Sequence, residues 1–493
     1  MKIEINRNAN IPINQQIYEN IADRIRSGAL SEGEHLPSVR SLAKQLGISL
    51  LTVVRVYDLL EEKDLIERVQ GKGTFVKNKL LIDATERNVK NNFDWQLSVL
   101  DYLPRTQFGA HYGSFENCIQ FSVAAICPSL LPNRYLEREI HSTLKKNPNI
   151  LSSYGPAQGD EELRKTMCEY MRKHNLYINH QDILVTNGTQ QGIDLVAKTF
   201  IGPGDVVAME APTYPAAIDT FRARGATIVP LPMDNDGIRI DHLQRVCEIY
   251  KPKLIYTIPN FQNPTGIVLS RKRREQLLML AQENQIIIVE DDPWSEMFFD
   301  KKPPTPIKGL DTNGFVIYLK GLSKTLVPGC RIGLLAANGT LFNRLVASKV
   351  NTDLGSPLLT QKAILPLFHS KRMEDHMEKL RFALNLRKDK VVKLLNSHMP
   401  DGVHWIVPTG GLNIWLSVPS EWNTNHLLIE CKKENIFFLP GSACFSGEPE
   451  KHHLRLNFTY LPDNELEMGI LKFCKITKKF LSSNRQFRHS SIN

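Results

Sequence analysis

Short apolar runs at residues 183–186, 206–209, 227–231, 254–258, 286–289 and 315–319 alternate with stretches of helical apolar spacing, and this alternation constrains the fold more than any other feature. Strands that alternate with helices build a mostly parallel sheet covered by helices. In such sheets ligands collect beyond the carboxyl ends of the strands. The polar residues that look chemically purposeful fall at those ends. The run at 286–289 leads straight into Glu290, Asp291 and Asp292, and carboxylates at the end of a buried strand are costly unless they meet a cation or hydrogen-bond donors.

This α/β region occupies only part of a chain of 493 residues, a length that implies more than one domain. No window approaches the roughly 20 apolar residues that cross a bilayer, so no membrane partner is expected. The opening Met1-Lys2-Ile3-Glu4 lacks the basic-then-apolar layout of a secretory signal, which points to a cytoplasmic protein. Eight cysteines are scattered without a Cys-x-x-Cys or a Cys/His cluster, arguing against both a disulfide scaffold and a metal site. The net charge of +9 is weak evidence for nucleic acid, because after Glu467 the tail carries Lys472, Lys475, Lys478, Lys479, Arg485 and Arg488 with no acid.

The first eighty residues have a different pattern. Ile13, Ile17, Ile21 and Ile25 form one face of a helix that Gly28 ends. Pro37 and Ser38 start a second, with Val39, Leu42, Ala43 and Leu46 on its apolar side and Gly47 as its stop. Ser49 caps a third helix running to about Lys63, whose buried stripe is Val53, Tyr57 and Leu60. Two apolar runs at 66–69 and 74–76 then flank Gln70-Gly71-Lys72-Gly73, a hairpin with glycine where positive φ is needed. The order is that of a winged helix-turn-helix.

The string Gly33-Glu34-His35-Leu36-Pro37-Ser38-Val39-Arg40-Ser41-Leu42-Ala43, then Leu46-Gly47-Ile48-Ser49, Thr52-Val53, Tyr57 and Gly71-Lys72-Gly73-Thr74-Phe75-Val76, closely resembles the GntR family of winged-helix regulators. The resemblance implies that the third helix enters the major groove of operator DNA and that the wing tip nears the minor groove. Arg40, Ser49, Thr52, Arg55 and Lys72 are the DNA-binding residues it implies. An arginine can grip phosphates or the guanine edge, and hydroxyls at a helix start fix register. One position departs: Leu50 stands where the family commonly has arginine, with Arg55, five residues on, as the candidate to compensate. Residues 1–80 hold 12 Lys/Arg against 10 Asp/Glu, so a local face rather than bulk charge must steer DNA.

Beyond a polar, Asn-rich stretch at 79–118 that reads as a linker, a second constellation appears. The strand at 183–186 is followed by Asn187-Gly188-Thr189-Gln190-Gln191 and a helix through Phe200, so backbone amides and a helix dipole face one point, a phosphate site. The strand at 315–319 is followed by Gly321-Leu322-Ser323-Lys324 and then Arg331. A lysine beside a phosphate-binding arginine suits carbonyl chemistry.

Together with Pro259-Asn260-Phe261-Gln262-Asn263-Pro264-Thr265-Gly266, Glu210-Ala211-Pro212-Thr213-Tyr214 and Leu454-Arg455-Leu456-Asn457-Phe458, these motifs strongly resemble fold-type I aminotransferases over residues 120–475. The resemblance implies pyridoxal 5'-phosphate as cofactor. Lys324 is then the catalytic lysine that condenses with its aldehyde, Asp291 pairs with the pyridine nitrogen, Asn263 bonds the phenolic oxygen and Tyr214 stacks on the ring. Gly188, Thr189, Gln190, Ser323 and Arg331 hold the phosphate, and Arg455 grips a substrate or effector carboxylate. Two departures weaken the case for an efficient transaminase: Trp294 stands where a tyrosine hydroxyl is usual, and Gly321 replaces a common hydroxyl ligand of the phosphate.

A GntR-like reader joined to such a domain is what MocR-type regulators look like. The implied architecture is α/β: a winged helix-turn-helix at 1–78, the linker, an aminotransferase-like domain at 119–480 with a smaller C-terminal α+β subdomain, and a basic tail at 481–493. The implied function is a DNA-binding transcription regulator that senses pyridoxal phosphate or an amino-acid-type effector as a head-to-tail homodimer. Two alternatives stay open: a working aminotransferase of 2-aminoadipate or aromatic type with an appended regulatory module, and a repressor whose large domain is a cofactor-free scaffold.

Overall fold

A computed structural model describes residues 12–26, 30, 33–63, 65–69, 71–77 and 118–489, which fall into two compact units. The linker at 79–117, Gly28 and Gln70 lie outside the described residues, as do the first eleven.

The N-terminal unit holds α1 (Ile13–Arg26), β1 (His35–Leu36), α2 (Val39–Leu46), α3 (Leu50–Glu62), β2 (Ile66–Val69) and β3 (Gly73–Val76). Ser38 caps α2 by accepting from the Ser41 amide, and Gly47 ends it in the left-handed region at φ 61°. Ser49 caps α3 by accepting from the Thr52 amide. Ile17, Ile21, Leu42, Val53, Val56, Tyr57 and Leu60 make the core, all fully buried. Tyr57 donates its hydroxyl to the Pro37 carbonyl at 2.6 Å, tying α3 to the start of α2, and burial pushes its phenol up to about 12. The wing is the antiparallel pair β2–β3, with Gly71 and Gly73 at positive φ. The short β1, not expected from the sequence, adds to the other edge of β3.

The large unit is organised by an eight-stranded sheet. Its strands are β5 (Ile183–Thr186), β6 (Val206–Ala211), β7 (Thr227–Asp234), β8 (Gly237–Ile238), β9 (Leu254–Thr257), β10 (Ile287–Asp292), β11 (Val316–Gly321) and β12 (Gly333–Ala336), following β4 (Ile119–Gln120) in the chain. They lie in the order β5-β12-β11-β10-β9-β6-β7-β8. Pairing is parallel through β11-β10-β9-β6-β7, as the strand-helix alternation predicts. The strand β12, not expected from the sequence, inserts antiparallel between β5 and β11. One face of the sheet packs on the helices Thr189–Phe200 and Pro215–Arg222, the other on Ile240–Tyr250 and Arg271–Glu283.

The remainder is the expected smaller α+β part. Strands β13 (His404–Ile406), β14 (Asn413–Ser417), β16 (Leu439–Pro440) and β17 (His453–Asn457) form an antiparallel sheet, while β15 (Ile436–Phe437) pairs with β4. The helices Arg372–His398 and Asp463–His489 pack beside it, and the second runs on past residue 480. Among the described residues, no helix is long and apolar enough to cross a membrane.

Candidate functional site

The pleat of β10 sorts its three terminal carboxylates. Successive side chains in a strand point to opposite faces, so Asp291 parts from Glu290 and Asp292. Glu290 accepts from the backbone amides of Ile307 and Lys308 at 2.9 and 2.8 Å and so caps a short helix. Asp292 accepts from the Tyr318 hydroxyl at 2.6 Å and pairs with the buried Lys320 at 3.3 Å. Asp291 faces elsewhere. Its Oδ2 accepts from the Tyr256 hydroxyl at 2.6 Å, and its Oδ1 is buried with no partner among the described residues. Burial pushes the Asp291 carboxyl up to about 7, against the pull of the Tyr256 hydrogen bond. A buried carboxylate oxygen without a donor is the place for a cationic N–H.

The turn after β5 supplies a second element. Gly188 sits at φ 84° and ψ 168°, a conformation essentially reserved for glycine, and begins the helix Thr189–Phe200 with no side chain capping it. Arg331, itself left-handed at φ 50°, lays its guanidinium against Gly188 and donates to the Asn187 carbonyl at 2.9 Å. A Cβ at Gly188 would come within 2.5 Å of that guanidinium. Uncapped amides, a helix dipole and an arginine thus converge on one spot. Gln190 donates to Thr220 at 3.0 Å, and Thr189 packs near Gly321. Behind the turn, Asn187 and Gln191 donate to Asp353, which Lys349 holds at 2.7 Å.

Lys324 and Ser323 follow β11 in a half-buried turn. Lys324 makes no hydrogen bond or ion pair among the described residues, and burial, followed by the positive charges of Arg331 and Arg455, pulls its ammonium down to about 8. Roughly a tenth of such an amine is neutral at pH 7, against a negligible fraction for an ordinary lysine. Arg455, on β17, is buried; it donates to Asn263 Oδ1 at 2.9 Å and to the Ser122 carbonyl. Tyr214 is half-buried at the start of the helix Pro215–Arg222, electrostatically close to Tyr256. The cofactor-site residues read from the sequence therefore gather in one region of the large unit.

Several supporting residues were not anticipated. Tyr256, which orients Asp291, is an ordinary strand aromatic in the sequence. Glu210 is fully buried and accepts from Thr257, Ile258 and Gln262 at 2.6, 3.1 and 2.9 Å, which fixes the loop that presents Asn263. Ser122, just after β4, enters through its backbone carbonyl, which accepts from Arg455. The two departures also acquire causes. The Trp294 indole donates to the Phe261 carbonyl at 2.7 Å, so its one donor is committed to the backbone. At Gly321 a Cβ would meet the Pro293 backbone at 3.2 Å and Thr189 at 3.5 Å, leaving little room for a hydroxyl side chain.

In the N-terminal unit, Arg40 lies exposed on α2, Arg55 on α3 and Lys72 on the wing. Ser49 and Thr52 share a 2.8 Å hydrogen bond between hydroxyls at the start of α3.

Comparison with known proteins separates the chain at the same place. The profile "Aminotransferase class I and II" matches residues 128–473, and "Bacterial regulatory proteins, gntR family" matches 13–76. The chain is 35% identical to aromatic-amino-acid aminotransferase 1 of Thermococcus litoralis over 71% of its own length and 86% of the relative. To the HTH-type transcriptional regulator YisV of Bacillus subtilis it is 29% identical over 97% of its length and 98% of the relative. The fold resembles LysN, an alpha-aminoadipate aminotransferase of Thermus thermophilus solved with N-(5'-phosphopyridoxyl)-L-leucine, at TM-score 0.71 and 27% identity, covering 76% of this chain and 97% of that one. These aminotransferases cover about three quarters of the chain, whereas the regulator matches almost end to end. The chain belongs to the aminotransferase class I and II family and, through its gntR-family N-terminal domain, to the MocR type of transcription regulator.

Proposed function

We propose that the large domain binds pyridoxal 5'-phosphate and uses it to detect an amino-acid-type effector, and that this sets the DNA affinity of the N-terminal domain of a cytoplasmic homodimer. The observation that carries the reading is the pairing of an unpartnered buried carboxylate oxygen on Asp291 with a lysine, Lys324, whose amine is pulled down to about 8. One side of that arrangement wants a cationic ring nitrogen, and the other offers a nucleophilic amine.

The bound cofactor supplies an electrophilic carbonyl that condenses reversibly with primary amines. Asp291, held by Tyr256, would keep the ring nitrogen protonated. Asn263 would bond the phenolic oxygen. The amides at Gly188, Thr189 and Gln190, with Ser323 and Arg331, would receive the phosphate, and Tyr214 would lie against the ring. Arg455 receives the carboxylate of an amino acid, with Asn263 and the Ser122 carbonyl setting the plane of its guanidinium. An effector with both an amine and a carboxylate is thereby bound at two points.

Trp294 and Gly321 favour a sensor over an efficient transaminase, because neither places a hydroxyl on the cofactor. The test is turnover. Purified protein with pyridoxal phosphate, an amino acid and a 2-oxo acid is expected to change its spectrum with the effector yet show at most a single half-reaction. Sustained transamination at enzyme-like rates would hand the large domain to the aminotransferase reading instead.

A further inference from the structure

Among the described residues of the N-terminal unit, only two large apolar side chains are exposed: Leu50, at 50%, and Leu51, at 61%. Every other described leucine, isoleucine, valine, phenylalanine and tyrosine there is buried or half-buried. A lone exposed leucine needs no explanation, but an adjacent pair in a unit of this size does.

Their position narrows the explanation. They are the first two residues of α3, immediately after the Ser49 cap, where a recognition helix presents side chains to base edges. Ser49 caps that turn, accepting from the Thr52 amide and sharing a hydrogen bond with the Thr52 hydroxyl. Exposed cations lie on the same two helices: Arg40 and Lys44 on α2, which carries no acid, and Arg55 one turn beyond Leu51 on α3, before the first acid of that helix, Asp58. An apolar pair on a surface that carries cations and no acid does not suit another protein's core. It suits a polyanion that displays methyl groups.

We propose that Leu50 and Leu51 read thymine in the major groove by packing on its C5-methyl group, so that sequence preference rests on methyl contacts at positions where a basic side chain would read guanine. Thymine offers that methyl group beside an O4 acceptor, whereas cytosine offers an N4 donor that leucine would leave unpaired. This inference rests on the DNA-binding reading of the N-terminal domain and adds the chemistry of its specificity.

The test uses the full chain with pyridoxal phosphate present and a duplex enriched by that chain from a random-sequence pool. Each thymine is replaced in turn by deoxyuridine, which keeps base pairing and removes only the methyl group. At one or two positions per half-site, affinity is expected to fall about fourfold per methyl lost. The Leu50→Ala/Leu51→Ala variant binds such DNA more weakly and no longer distinguishes thymine from deoxyuridine there. Affinity indifferent to deoxyuridine at every position overturns the proposal, as does an unchanged penalty in the double variant. A change in oligomeric state of that variant without DNA would also overturn it, by assigning the pair to a protein contact. Failure of the wild-type chain to enrich any duplex would instead sink the DNA-binding reading itself.

Discussion

Lys324→Ala protein mixed with pyridoxal phosphate is expected to leave the absorption of the free aldehyde unshifted and to lose the cofactor on gel filtration, while the wild type shifts the band and keeps the cofactor. The expectation follows from the surroundings of Lys324. Burial and the charges of Arg331 and Arg455 all disfavour its ammonium form, bringing the amine from the ordinary lysine range to about 8. A protonated amine cannot attack an aldehyde. Capture of the cofactor in the wild type therefore accelerates as pH rises through about 8 and levels off above it. Arg331→Ala removes one of the opposing charges, so the inflection moves to higher pH even as phosphate binding weakens. Stopped-flow absorbance across pH 6 to 10 measures both effects. A band that forms equally fast in Lys324→Ala would show that another amine carries the chemistry.

Arg274→Ala is expected to destabilise the large domain by about 3–5 kcal/mol, more than any surface change. Arg274 is fully buried, yet its guanidinium donates to the carbonyls of Leu269, Pro304, Thr305 and Pro259 and to Asn260 Oδ1, at 2.7 to 3.3 Å. Truncation strands these acceptors and removes a nearby cation from Glu290, whose carboxyl burial already pushes up to about 7. Because Pro259 and Asn260 lead into Asn263, the same variant should loosen cofactor binding. All five tryptophans lie beyond residue 90, so denaturant unfolding followed by tryptophan fluorescence reports on this part of the chain. A loss below about 1 kcal/mol would mean that water or a neighbouring cation replaces the guanidinium.

What the sequence revealed and what it hid follow from the range of the interactions involved. The parallel strands were legible because strands buried on both faces are continuous apolar runs, and the helix-turn-helix was legible because caps and apolar spacing are local signals. The strand β12 was not, since Gly333–Ala336 is short, begins with glycine and takes its place from packing between β5 and β11. The two-residue β1 is shorter still. Within the site, Lys324, Asp291, Asn263, Arg331 and Arg455 stand in motifs. Tyr256 stands in none, because its bond to Asp291 arises from the register of β9 against β10. Likewise, Trp294 reads only as a departure until its indole is seen donating to the Phe261 carbonyl.

If the large domain is the sensor, chemistry at Lys324 governs how tightly the N-terminal domain holds DNA. It is tested most directly by the anisotropy of a labelled, enriched duplex titrated with the full chain and pyridoxal phosphate, with and without each member of a panel of amino acids, in wild type and in Lys324→Ala. An amino acid is expected to shift the wild-type DNA affinity by about 5-fold or more and to leave the variant unmoved. A wild type indifferent to every amino acid, or a variant that responds as the wild type does, would contradict it.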